Sequence, residues 1–312
     1  MIQLLRNPSY NFIGRRRLAY AVSAIVMVIC LGSLAVRGLR YDIDFTGGTL
    51  VQVRFEQPPT VAAIRAGLAR IQLGDSIIQE FGDPREYIIR MPLTSASSDE
   101  LTKRVTTALE QQKSLGKLEI RRVEFVGPQV GRDLQRQAIY AVLFGLVGIL
   151  VYIAWAFKSF KGGVAAIAAV FHDIVVCMGA LSLTGREFSL PVLAALLTII
   201  GYSVNDTIVA YDRLRENRGK FVPKGKTFAE QMNDAINQTL SRTVLTALTT
   251  FLAAAVLLFF GGKTLEDFAF VLFIGVITGT YSTIYIAGSL IVDWTERVES
   301  RVARRKKAVA KA

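Results

Sequence analysis

Apolar residues run in six long stretches, at positions 18–36, 138–157, 162–183, 188–211, 243–260 and 268–292. Each holds about 18 to 25 residues, and at 1.5 Å of rise per residue a helix of that length crosses a hydrocarbon core of roughly 30 Å. The pattern predicts a polytopic α-helical membrane protein with six transmembrane helices. Residues 37–137, between the first and second stretches, follow shorter periods and read as a folded domain outside the bilayer.

Within that domain Leu50, Val51, Gln52, Val53, Arg54 and Phe55 alternate like a half-buried strand. Thr60 is placed to cap a helix that sets Val61, Ile64, Leu68 and Ile71 on one face. Residues 77–81 and 87–91 flank the turn Gly82-Asp83-Pro84 as two hairpin strands. Ser98 caps a second helix carrying Leu101, Val105 and Leu109, and 118–126 closes the series as a strand. The order β-α-β-β-α-β predicts an α+β, ferredoxin-like domain. Ahead of its first strand, Gly47-Gly48 reads as a flexible hinge and as a tight turn, two compatible roles.

Charge sets the topology. Lys and Arg cluster at Arg6, Arg15, Arg16 and Arg17, at Lys158 and Lys161, and through 213–226 (Arg213, Arg215, Arg218, Lys220, Lys224, Lys226). A fourth group follows the last stretch: Arg297, Arg301, Arg304, Arg305, Lys306, Lys307 and Lys311. All fall on one side of a six-span layout, while the opposite short loops hold only Arg186 and Lys263, so both termini are expected in the cytoplasm. The layout is then 1–17 cytoplasmic, 18–36 span one, 37–137 periplasmic, 138–292 five further spans with a cytoplasmic loop at 213–242, and 293–312 a basic tail. The net charge of +12 resides mostly in these juxtamembrane segments, where it meets anionic lipid; nucleic acid is not an expected partner. At 19 residues the first stretch exceeds a signal-peptide core and reads as an uncleaved anchor. Cys30 and Cys177 both lie in spans, so no disulfide framework or metal site is expected.

Ionisable residues inside spans cost at least about 2.5–3.5 kcal/mol and mark function by default. Span four carries Thr198, Tyr202, Asn205, Asp206 and Thr207. Thr198, Tyr202, Asn205 and Asp206 share about a third of the helix circumference, a polar stripe that should face other helices. Asp206 lies roughly 8 Å of rise from the end of its apolar stretch. Thr227 and Glu230 make a capping-box pattern that starts a helix with an apolar stripe (Phe228, Met232, Ala235, Ile236, Leu240), suited to lying at the interface. Arg242 follows at a depth like that of Asp206, either as a reversible partner for its carboxylate or as an anchor reaching the headgroups. His172 and Asp173 sit mid-span in helix three, as a proton relay or as packing polar groups; adjacent helical positions point about 100° apart. No enzyme is expected, since the outer domain has neither His nor Cys.

The motifs Asp44-Phe45-Thr46-Gly47-Gly48-Thr49, Val126-Gly127-Pro128-Gln129-Val130-Gly131, Gly185-Arg186-Glu187-Phe188-Ser189, Gly201-Tyr202-Ser203-Val204-Asn205-Asp206-Thr207 and Asn237-Gln238-Thr239-Leu240-Ser241-Arg242-Thr243 occur in this order. They resemble the SecF side of the SecD/SecF protein-export family, in the resistance-nodulation-division superfamily, over nearly the whole chain. The resemblance implies a SecD partner with six matching spans in the bacterial inner membrane and work beside the SecYEG translocon, with YajC and YidC as associates. It further implies a translocating preprotein as substrate and Asp206 and Arg242 on the ion pathway with Asn205 and Thr207. No cofactor is implied; the coupling ion is a proton or sodium. Two other readings compete. One is a small-molecule or lipid exporter of the same superfamily. The other is an intramembrane aspartyl protease using Asp173 and Asp206, although Ser203-Val204-Asn205 replaces the Gly-x-Gly expected there.

Overall fold

The computed structural model describes residues 8–93, 97–112, 115–157, 160–219 and 225–309. Of the basic positions above, Arg6, Lys158, Lys220, Lys224 and Lys311 lie outside these residues.

Among the described residues six helices are long and apolar enough to cross a membrane. The first is α1 (Arg16–Arg37); it leads into strand β1 (Arg40–Tyr41) and a one-turn helix α2 (Ile43–Thr46). The outer domain follows as β2 (Gly48–Phe55), α3 (Val61–Ala69), β3 (Ile77–Phe81), β4 (Asp83–Met91), α4 (Ser98–Glu110) and β5 (Leu118–Val126). The remaining spans are α5 (Pro128–Phe157), α6 (Phe160–Thr184), α7 (Leu190–Gly219), α8 (Phe228–Phe260) and α9 (Lys263–Ser282). A short strand β6 (Glu187–Phe188) precedes α7, and a π-turn (Thr283–Ala287) joins α9 to α10 (Gly288–Val309).

The outer domain is one antiparallel sheet of order β3-β4-β2-β5. Alternation along β2 puts Val51, Val53 and Phe55 on the face that meets α3 and α4, where they bury with Ile64, Leu68, Ile89, Leu101, Val105 and Leu109. Thr60 caps α3 through the Ala63 amide (3.2 Å). The cap of α4 is Ser97, whose Oγ accepts from the Glu100 amide, and not Ser98. The opposite face carries Leu50, Gln52, Ile88 and Arg90 and looks down on the membrane helices across a cleft of about 530 Å³.

In the membrane part α6, α7 and α9 form the interior. Small residues let them approach: a Cβ on Gly179 would collide with Cys30 of α1, and one on Gly275 with Ile199 of α7. By contrast α5 and α8 turn apolar stripes outward, with Ile139, Leu143, Val147 and Val151 exposed on one and Leu248, Leu252, Val256 and Phe260 on the other.

Further local expectations change or are sharpened. The second span begins at Pro128, ten residues before its apolar stretch, since proline suits a first helical turn; Gly131 then packs on Phe45 and Gln135 donates to the Phe45 carbonyl at 2.7 Å. Helix α8 is continuous over 33 residues, about 50 Å, from its Thr227–Glu230 capping box. Its stripe of Met232, Ala235, Ile236 and Leu240 is therefore buried against Ile13, Tyr211, Leu214, Ile284 and Val292, and meets protein where lipid was expected. Gly47 and Gly48 adopt φ of +71° and +141° and are wedged: a Cβ would stand 2.9 Å from Leu93 and 2.5 Å from the Met91 carbonyl oxygen. The tight turn is what their conformation serves.

Candidate functional site

The polar residues of α7 divide between two faces. Ser203, Asp206 and Thr207 are buried, whereas Thr198, Gly201 and Asn205 are exposed along with Asp212 further down the helix. The expected single stripe is thus split, because α6 and α9 cover only one edge of the arc.

On the buried face the hub is Asp173 of α6, 1% exposed. Ser203 Oγ of α7 and Ser282 Oγ of α9 both donate to its Oδ2, at 2.7 and 2.6 Å, and His172 Nδ1 lies 3.1 Å from its Oδ1. One turn on, Thr207 Oγ1 and Thr283 Oγ1 are 3.2 Å apart, and Thr283 donates to the Ser203 carbonyl. Span six contributes through a π-turn, an irregularity common at functional positions. Ser282 and Thr283 were not singled out in the sequence; two adjacent hydroxyls in an apolar run are the signal that marks them.

Asp206, three residues after Ser203, is 2% exposed, and among the described residues neither carboxylate oxygen has a hydrogen-bond partner. Burying an unpaired carboxylate costs several kcal/mol unless it takes up a proton. Arg242 of α8 acts on Asp206 electrostatically, but among the described residues no ion pair joins them. The Arg242 side chain is exposed in a cleft of about 630 Å³ with Tyr152, Asp212, Arg213 and Gln238. Direct pairing, one of the two readings open for Arg242, is not made among the described residues. Nor do Asp173 and Asp206 bond to each other; the Asp173 acceptors are taken by His172, Ser203 and Ser282.

The helix bearing Asp206 is tied to the outer domain at its first residue. Asp44 of α2 accepts from the Leu190 amide at 3.1 Å, supplying a cap from a distant segment, and burial raises the Asp44 carboxyl above the usual range. Beside it Phe45 packs on Phe188, ring centroids 5.3 Å apart. Strands β1 and β6 pair in parallel, Arg40 with Glu187 and Tyr41 with Phe188. From β4, Arg90 binds Asp42 (3.1 Å) and Glu187 (2.5 Å). Arg186 closes the same end of the bundle on Glu266 (2.7 Å) and Asp267 (2.6 Å).

Two family sequence models match: the SecD/SecF GG motif over residues 32–59, and the protein export membrane protein SecD/SecF, C-terminal, over residues 104–297. The protein translocase subunit SecF of Desulfurispirillum indicum is 47% identical over 292 residues, covering 92% of each chain. SecF of Pseudomonas aeruginosa is 44% identical over 282 residues, covering 90% of each. The crystal structure of the translocon-associated SecDF of Thermus thermophilus aligns with a TM-score of 0.82 at 41% identity, over 93% of this chain and 39% of that one. With matches of this extent in both its joint and its membrane helices, the chain belongs to the SecF family of protein translocase subunits.

Proposed function

We infer that this chain is the SecF-type half of a proton-driven SecD–SecF machine that promotes preprotein export. The observation that carries the reading is Asp206, a buried carboxylate without a hydrogen-bond partner on a helix whose far end is capped by the joint of the outer domain. Its charged form is costly where it lies and its neutral form is not, so proton uptake changes which helix packing is preferred. The proton is favoured over sodium because protonation removes the buried charge itself, and among the described residues no hydrogen-bond donor reaches the Asp206 oxygens. Arg242, exposed in the neighbouring cleft, is the counter-charge that a small shift of α8 brings to Asp206; Asn205 and Thr207 flank the pathway.

From Asp206 to Leu190 is sixteen residues of unbroken helix, about 24 Å. Movement of α7 reaches Asp44, then Gly47-Gly48, then β2, the central strand of the sheet. The outer domain, whose strand order is that of a ferredoxin-like fold, is placed in the periplasm, both termini in the cytoplasm and the spans in the bacterial inner membrane. There the domain acts on preprotein leaving SecYEG, with YajC and YidC as associates. The exposed polar edge of α7, flanked by outward apolar stripes on α5 and α8, suits a second six-helix subunit better than lipid. A fused relative named SecDF, of which this chain covers 40%, supports SecD as that subunit.

Affinity capture of the tagged chain from its native membranes in mild detergent tests the partnership. Recovery of the SecD subunit with translocon components is expected. Recovery of the chain alone, or as a homo-oligomer that moves a small molecule, overturns it.

A further inference from the structure

Asp173 stands where three membrane helices meet, with a hydrogen-bond donor on every side. Each serine hydroxyl has one proton, and Oδ2 is a short-range acceptor for both Ser203 (2.7 Å) and Ser282 (2.6 Å), the alternative acceptor of Ser282 being the Gly279 carbonyl at 3.2 Å; the arrangement suits an ionised carboxylate. In the tautomer with its proton on Nδ1, the His172 ring supplies the third donor. That tautomer leaves Nε2 as a bare lone pair, and Nε2 is buried without a partner. The other titratable groups facing the cluster are Cys177 one turn along α6 and Tyr281 on α9, whose ring centroid is 6.1 Å from that of His172; Asp206 follows Ser203 three residues further along α7. Among the described residues no Lys or Arg pairs with the cluster.

We propose that His172 and Asp173 form a second proton-binding site of the transport cycle, separate from Asp206, whose occupancy sets how span six packs on spans three and four. A proton taken up at His172 Nε2 makes an imidazolium; the Nδ1 proton passes to Asp173 Oδ1. The ring is left neutral with its proton on Nε2, and Asp173 is left neutral. One proton enters, one is held, and no other bond changes. The carboxyl then donates to Nδ1, and the two serine hydroxyls face a much weaker acceptor. Ser282 is the last residue before the π-turn, and a π-turn relaxes to α-helix by shifting its register by one residue. Release of Ser282 therefore loosens the bond that fixes span six to span three at the start of its π-turn.

The proposal rests on the proton-driven reading, but its test does not use export. The purified complex in lipid is titrated with acid and followed by infrared difference spectroscopy at the C=O stretch of buried carboxyl groups. Asp206→Asn should retain titrating buried-carboxyl absorption, part of it from Glu187 at the joint, and adding Asp173→Asn should remove one resolved component of it. Ser282→Ala in the Asp206→Asn background leaves the carboxyl in place and removes one hydrogen bond, so that component should shift in frequency. This variant guards against misfolding of Asp173→Asn. Absorption absent from Asp206→Asn, or unchanged by both further substitutions, overturns the proposal. Export that proves independent of protons, with the component present and lost as described, would overturn the transport reading and leave the site standing.

Discussion

The Leu190 amide at the head of the fourth membrane helix donates to the carboxylate of Asp44, 146 residues earlier in the chain. This bond joins the α2 turn, which leads directly into β2, to the helix that bears Asp206. It makes Asp44 a mechanical link as well as a helix cap. Asp44→Ala should cost about 0.5–2 kcal/mol and speed hydrogen exchange at Leu190, with export stimulation reduced while insertion is normal. Asp44→Asn keeps an acceptor oxygen and should lose far less. Equal export by Asp44→Ala and the unaltered chain would remove Asp44 from the linkage.

The pair Arg90 and Glu187 responds to pH in a direction set by burial. Burial pushes the Glu187 carboxyl from the ordinary 4.5 up to about 7, against the attraction of Arg90. The closed arrangement thus holds a proton that a released, hydrated Glu187 gives up between these values. Closure is therefore strongest below about 4.5, weakens as pH rises from about 4.5 to about 7, and is level above. Hydrogen exchange at Asp42, whose amide donates to the Phe188 carbonyl at 3.0 Å, reports this after correction for intrinsic rates. Glu187→Gln should abolish the dependence; a dependence of opposite sign would show that the ion pair outweighs burial.

Helix contacts in the interior are tight enough to test by substitution. Gly275→Ala drives a methyl into Ile199 and should cost about 1–3 kcal/mol. Combined with Ile199→Ala, which opens space on the facing helix, the two losses should fall short of their sum by at least about 0.5 kcal/mol. Unfolding in mixed detergent micelles provides the measurement. Strict additivity would mean that α7 and α9 do not meet there.

Much of this architecture is legible in residue order. Long apolar runs have few meanings, so the spans follow from length alone, and Thr227 with Glu230 marks the start of α8 because the capping chemistry is local. Packing is less legible. A helical wheel groups Thr198, Tyr202, Asn205 and Asp206, yet which of them is buried depends on where α6 and α9 lie. Asp173 is ambiguous for the same reason: its value comes from Ser203 and Ser282, 30 and 109 residues away. The phases of three helices and a π-turn bring them together. The Met232 stripe has the signature of an interfacial helix, and only the presence of Ile13 and Ile284 against it decides otherwise.

The central claim is that proton exchange at Asp206 drives export, and the direct measurement is preprotein translocation into inverted membrane vesicles under an imposed proton gradient. Asp206→Asn should insert, pair with its partner subunit and leave ATP-driven translocation intact, while the gradient-dependent part of export falls to background. Gradient-dependent export at the level of the unaltered chain would contradict the account.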